Sequence, residues 1–301
     1  MPVTLTHPQE QGDAAVGTCA ASRTFDAPMP LRLWHLASLD APTVAVVWAL
    51  AIAWAGGIRL PAWVPVLLAL GTWTVYVGDR LLDARAGLTN GAVDRLRERH
   101  SFHWRHRRLL TTLAAAAGMA AAGLIVLLMP MAIQERNAAL GAAALLYFSG
   151  VHAPGLRRLR LLPKELVVGV LFTAGCALPT LTRMRLAGIP DGTLGWVMAL
   201  AMLFAALAWL NCCAIEWWES ERMEGSSHLC AASTALGCAG VAMAFLLAGM
   251  AEPRLAELAA CAAGSAGMLG WLDRRRARLS PLALRAAADL VLLTPIVCLM
   301  R

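Results

Sequence analysis

The stretch TWTVYVGDRLLDA, residues 72–84, decides how the chain is read. It closes a long apolar segment, yet it ends in Asp79, Arg80 and Asp83. One polar residue is enough to stop a membrane helix in water. Two acids at i and i+4 share a helical face roughly 5–6 Å apart, close enough to hold a ligand between them.

The surrounding composition makes the membrane setting plain. Of 301 residues, 59% are hydrophobic and only 15% charged, against about 25% charged in a soluble domain. Apolar segments recur near 40–57, 61–78, 110–132, 136–151, 163–182, 193–215, 228–250, 254–272 and 281–299, which predicts nine spans. The expected fold is all-α: a polytopic membrane protein of nine transmembrane helices around a central cavity. Residues 1–37 read as a disordered and interfacial tail, with LRLWHLASL (31–39) lying on the membrane surface. Residues 38–301 read as one helical domain. Pro61, Pro163 and Pro281 fall at span starts, where proline is tolerated. Gly56–Gly57 and Met250–Pro253 predict tight hairpins. The small-residue runs AAAAGMAAAG (114–123) and AACAAGSAG (259–267) predict close helix approach.

Basic residues sort by loop. Nineteen lie on the side of the N-terminus and six on the other, so the positive-inside rule places the N-terminus in the cytoplasm. The net charge of +7 is thereby accounted for by topology, and nucleic acid is not an expected partner. The eight cysteines form no CxxC pair and read as small apolar residues.

One loop breaks the charge rule. WLNCCAIEWWESERMEG (209–225) carries Glu216, Glu219, Glu221 and Glu224 against a single arginine, Arg222. Glu216 and Glu219 share a helical face, as Asp79 and Asp83 do. Both pairs end spans on the same side of the bilayer. Magnesium takes oxygen ligands and typically binds one or two carboxylates plus substrate phosphates, so the two pairs are candidate Mg²⁺ ligands around a diphosphate. Between them, DRLRERHSFHWRHRRLL (94–110) supplies Arg97, Arg99, Arg105 and Arg107, and arginine forks onto phosphate oxygens. His100 and His103 with His106 also invite a zinc reading, but that spacing strings the rings along a helix without a fourth partner. Arg285 and Asp289, at i and i+4 within the last span, are expected to form a structural ion pair.

These residues resemble the UbiA superfamily of intramembrane prenyltransferases. DRLLD (79–83) is similar to the end of the superfamily's first Asp-rich motif, although Val75 and Tyr76 stand where Asn and Asp are expected. Glu216 and Glu219 take the places of the second motif, with Glu for Asp. LLYFSGVHAPGLRRLRLLPKELVVGVLFTAGCALP (145–179) resembles the passage between its fourth and fifth helices, through Tyr147, Arg157, Arg158, Pro163, Lys164, Gly169, Phe172, Gly175 and Pro179. The resemblance implies Mg²⁺-dependent transfer of a prenyl group from an isoprenyl diphosphate to a lipid-soluble, often aromatic acceptor. Asp79, Asp83, Glu216 and Glu219 would be the catalytic metal ligands. Arg80, Arg97, Arg105, Tyr147, Arg158 and Lys164 would bind substrate. The expected setting is a bacterial inner membrane, among lipids, with the active face cytoplasmic. A non-catalytic UbiA-like protein that binds lipid or a partner is the alternative, and a transporter a third.

Overall fold

A computed structural model describes residues 25–89, 98–152, 163–219 and 226–301. Its elements are α1 (Met29–Leu36), α2 (Asp40–Ala55), α3 (Trp63–Thr89), α4 (Glu98–Arg105), α5 (Arg107–Leu128), α6 (Met131–His152), α7 (Lys164–Leu186), α8 (Asp191–Glu219), α9 (Ser226–Gly249), α10 (Pro253–Arg275), α11 (Pro281–Leu290) and α12 (Ile296–Leu299). No strand occurs among the described residues; a single bridge pairs Phe25 with Leu279.

All nine apolar segments of the sequence fall on helix, but they are not equal. Five helices are long and apolar enough to cross a membrane by themselves: α5, α7, α8, α9 and α10. A sixth span arises if α1 and α2, bent by 88° at their junction, count as one. α3 mixes Gly71, Thr72, Trp73 and Thr74 into its apolar half and then runs into Asp79 and Arg80. α6 carries Gln134, Glu135, Arg136 and Asn137 in its first two turns. Many apolar side chains face outward, among them Leu127 at 80% exposure, Phe245, Leu146 and Met202. Such a surface is compatible with a lipid environment and costly in water.

The last segment, 281–299, is not one continuous helix as its apolar run suggests. It breaks between α11 and α12 through a 3₁₀ turn, Val291–Leu293. Pro295 is the cause. It has no N–H to offer the carbonyl four residues back, Val291, and its ring clashes there. The freed carbonyls find partners on neighbouring helices: Ser265 Oγ donates to Val291 O at 2.7 Å, and Trp48 Nε1 donates to Leu292 O at 2.8 Å. Buried backbone carbonyls freed at a helix break need such replacements.

Turns follow local chemistry. Gly57 leaves α2 at φ +68° and Gly188 leaves α7 at φ +67°, the left-handed conformation that glycine adopts without penalty. The Pro253 and Pro281 starts of α10 and α11 fit the sequence reading, and Ser280 Oγ caps α11 by accepting from Ala283 N. Close approach is clearest between α9 and α10. A Cβ on Gly240 would lie 2.9 Å from Ala263 Cβ and 3.2 Å from Ala259 O.

The core lies where α2, α7, α8 and α10 meet. Trp48 stacks on Phe204 with ring centroids 3.8 Å apart and planes 10° off parallel, and Phe172 leans in at 6.1 Å. Ile52, Met184, Leu207, Leu255 and Leu258 close around them. The stretch 25–37, set apart by sequence as the end of a tail, is stitched to this body. Phe25 exchanges backbone hydrogen bonds with Arg278 and Ser280, and His35 and Leu36 are buried.

Candidate functional site

The cytoplasmic end expected for α8 gathers cations around its acids. Glu219 Oε1 accepts from Arg285 Nη1 of α11 at 2.6 Å and from Arg99 Nη1 of α4 at 3.4 Å. Lys164 Nζ, at the start of α7, lies 3.3 Å from Glu216 Oε1 and 3.5 Å from Glu165 Oε1. Arg285 therefore pairs with Glu219 and not with Asp289, because α8 brings a carboxylate within reach from another helix. Beside Glu219 a cavity of about 180 Å³ opens, bounded by Trp217, Trp218, Arg276, Leu284 and Arg285. Trp218 donates to Asp273, which also holds Arg276 at 2.8 Å.

On α3, Asp79 is half-buried and Asp83 exposed. Arg80, assigned by sequence to substrate, turns inward. It is 4% exposed, donating through Nη1 to His35 O at 3.0 Å and through Nη2 to Asp40 Oδ2 at 3.2 Å. Arg105 is exposed at the end of α4, Lys164 is half-exposed, and Tyr147 is half-buried on α6. Arg97, Arg158, Glu221 and Glu224 lie outside the described residues.

The histidines on α4 and at the α4–α5 junction do not converge. His103 is buried, with Nδ1 donating to Arg99 O at 2.8 Å and Nε2 accepting from Ser38 Oγ at 3.0 Å. His106 bonds to Phe102 O, and His100 accepts from Arg99 Nε. His103 is thus a packing residue that clamps the bend between α1 and α2.

Sequence reasoning missed a second polar centre. His35 Nδ1 lies 2.7 Å from Asp40 Oδ2 and 3.7 Å from Asp289 Oδ2, and Asn211 Nδ2 donates to Asp289 Oδ1 at 3.2 Å. These residues come from α1, α2, α8 and α11. The available signal was the charge itself: Asp40 opens one apolar segment and Asp289 interrupts another, and ionisable groups in such segments usually face a partner.

The donor set suits magnesium in type, since all four expected ligands offer carboxylate oxygens. Two of them, Glu216 and Glu219, already hold cationic side chains, so a metal ion there would take over from Lys164, Arg99 and Arg285. No family model, curated protein or solved structure matches the chain.

Proposed function

We propose that the chain is an intramembrane prenyltransferase of UbiA type, moving a prenyl group from an isoprenyl diphosphate to an aromatic or lipid-soluble acceptor. The observation that carries this reading is the gathering of Lys164, Arg99 and Arg285 on Glu216 and Glu219 at the end of α8. Acids and bases so close, beside a cavity, make a site that can exchange internal ion pairs for a metal and an anion. Oxygens of Asp79, Asp83, Glu216 and Glu219 would hold Mg²⁺, which supplies positive charge to a departing diphosphate when bound. Lys164 and Arg99 would then turn from the carboxylates to phosphate oxygens, as would Arg97, Arg105 and Arg158 from the neighbouring stretches. Tyr147 would line the approach. Arg80 has a different part, holding Asp40. In this reading all nine apolar segments cross a bacterial inner membrane, the N-terminus is cytoplasmic, and the acids face the cytoplasm.

One observation favours a second reading, a UbiA-like membrane protein without catalysis: each acid of the α8 pair already has a cation. A single experiment separates the two. Binding of geranylgeranyl diphosphate to the purified protein in detergent is measured with and without Mg²⁺. The enzyme reading expects Mg²⁺-dependent binding that Asp83→Ala and Glu216→Gln each weaken at least about tenfold. Binding indifferent to metal and to both substitutions sinks it.

A further inference from the structure

The buried centre between α1, α2, α8 and α11 has features that the prenyl-transfer reading does not use. Two carboxylates, Asp40 and Asp289, stand with one imidazole so that a donor atom from each lies within 4.8 Å of the others. Arg80 supplies one positive charge. With a neutral His35 and both carboxylates ionised the centre carries one negative charge beyond what Arg80 offsets, a charge that either a shared proton or a bound cation balances. His35 is 1% exposed, and its Nδ1 faces both carboxylates without meeting either as an aligned hydrogen bond. Asn211 Oδ1, on the side chain bound to Asp289, is also buried without a hydrogen-bond partner. Next to Asp289 and Asn211 lies a cavity of about 30 Å³, lined also by Tyr76 and Cys212, with room for a water-sized occupant.

We propose that His35, Asp40 and Asp289 form a binding site for a divalent cation of the zinc class, with a fourth position open to the small cavity beside Tyr76 and Asn211. Ligand type selects the metal: one imidazole nitrogen with two carboxylates suits zinc better than magnesium or calcium, which take oxygen. Three protein ligands and one open position form the arrangement of zinc sites that keep an exchangeable ligand. Spacing agrees. The 2.7 and 3.7 Å separations from His35 Nδ1 bracket the roughly 3.3 Å between neighbouring ligands of a tetrahedral ion with bonds near 2 Å. The surroundings also fix the ligands. Arg80 grips both the Asp40 carboxylate and the His35 carbonyl, and Ala41 N donates to Asp40 Oδ1 at 2.9 Å. Such outer contacts orient metal ligands.

The test uses the full chain in detergent, stripped with chelator and reloaded with Zn²⁺ or Co²⁺. Bound metal is measured by elemental analysis, and the Co²⁺ form by its visible d–d absorption. The expected result is about one metal per chain, cobalt bands typical of four-coordination, and a fall of at least about tenfold in affinity for Asp289→Asn and His35→Gln. Glu257→Gln, a carboxylate paired with Arg301 elsewhere, keeps full metal content. Should the site variants fail to fold, the native protein still answers, because Zn²⁺ must raise its unfolding temperature well beyond any rise that Mg²⁺ gives at the same concentration. Substoichiometric metal, or no zinc-specific rise, overturns the proposal and leaves a shared proton as the compensating cation. Neither outcome depends on diphosphate binding.

Discussion

At the scale of single residues, His103 carries an argument about pH. Its ring is buried beneath the α1–α2 bend, and burial pushes its pKa down to about 4, with Arg80 and Arg99 adding to the depression while the Arg99 carbonyl and Asp40 oppose it. An exposed histidine titrates near 6.5. Between those values the unfolded chain therefore binds more protons than the folded one, so stability from this group is whole above about 6.5 and is lost as pH falls towards 4. Its Nε2 accepts from Ser38, a residue held at φ +58° and fully buried. Protonation turns that acceptor into a donor and upsets the clamp on a strained position. The wild-type unfolding temperature should fall more steeply from pH 6.5 to 4 than that of His103→Gln, which cannot titrate. Parallel slopes would show that His103 is not the responsible group. The sequence offered His103 only as one of three ring nitrogens in a row. Its real partner is Ser38, 65 residues away, and local spacing has no access to such a pairing. The same limit explains Arg285 and Asp289. At i and i+4 they looked like a pair, but Glu219 and Asn211 from α8 offered better-placed partners.

At the scale of elements, the sequence spoke clearly where small residues line a helix contact or a proline starts a helix. The 259–267 run does bring α10 close to α9, through Ala259 and Ala263 against Gly240. Gly240→Val should force the helices apart, since even a Cβ there sits 2.9 Å from Ala263. A loss of about 1–3 kcal/mol is expected, read as lower thermal stability in detergent, whereas Gly264→Ala, which meets nothing within 4 Å, should be neutral. The broken last segment was not legible as broken. Its apolar run hid Pro295, and the replacement hydrogen bonds come from α2 and α10. Ser265→Ala removes the donor to Val291 O, so it should destabilise by about 1 kcal/mol. Ser265→Thr keeps the hydroxyl and should recover part of that loss. Equal stability of Ala and Thr variants would mean that the Val291 carbonyl has another partner.

At the scale of the whole molecule, the open question is how many segments cross the bilayer. Helix length and hydropathy together select six, counting the bent α1–α2 pair, whereas the apolar segments of the sequence number nine. Packing bears on the difference. α3 runs for 27 residues, roughly 40 Å, and lies along α2 and α5, so it has the length and the neighbours of a span despite its polar end. Its weak hydropathy comes from Asp79, Arg80 and the residues around them, the same residues that make it a candidate site. The two schemes make opposite statements at two places. With nine crossings the stretch 90–97 returns to the side of the N-terminus and Arg301 ends on the far side. With six, counting neither α3, α6 nor the α11–α12 segment, the stretch 90–97 lies on the far side and Arg301 returns to the near side. A reporter active only outside the cytoplasm, placed in turn within 90–97 and after Arg301, should be silent at the first point and active at the second. The reverse pattern would put the acidic end of α3 across the bilayer from the end of α8, and two carboxylate pairs so separated cannot share one diphosphate.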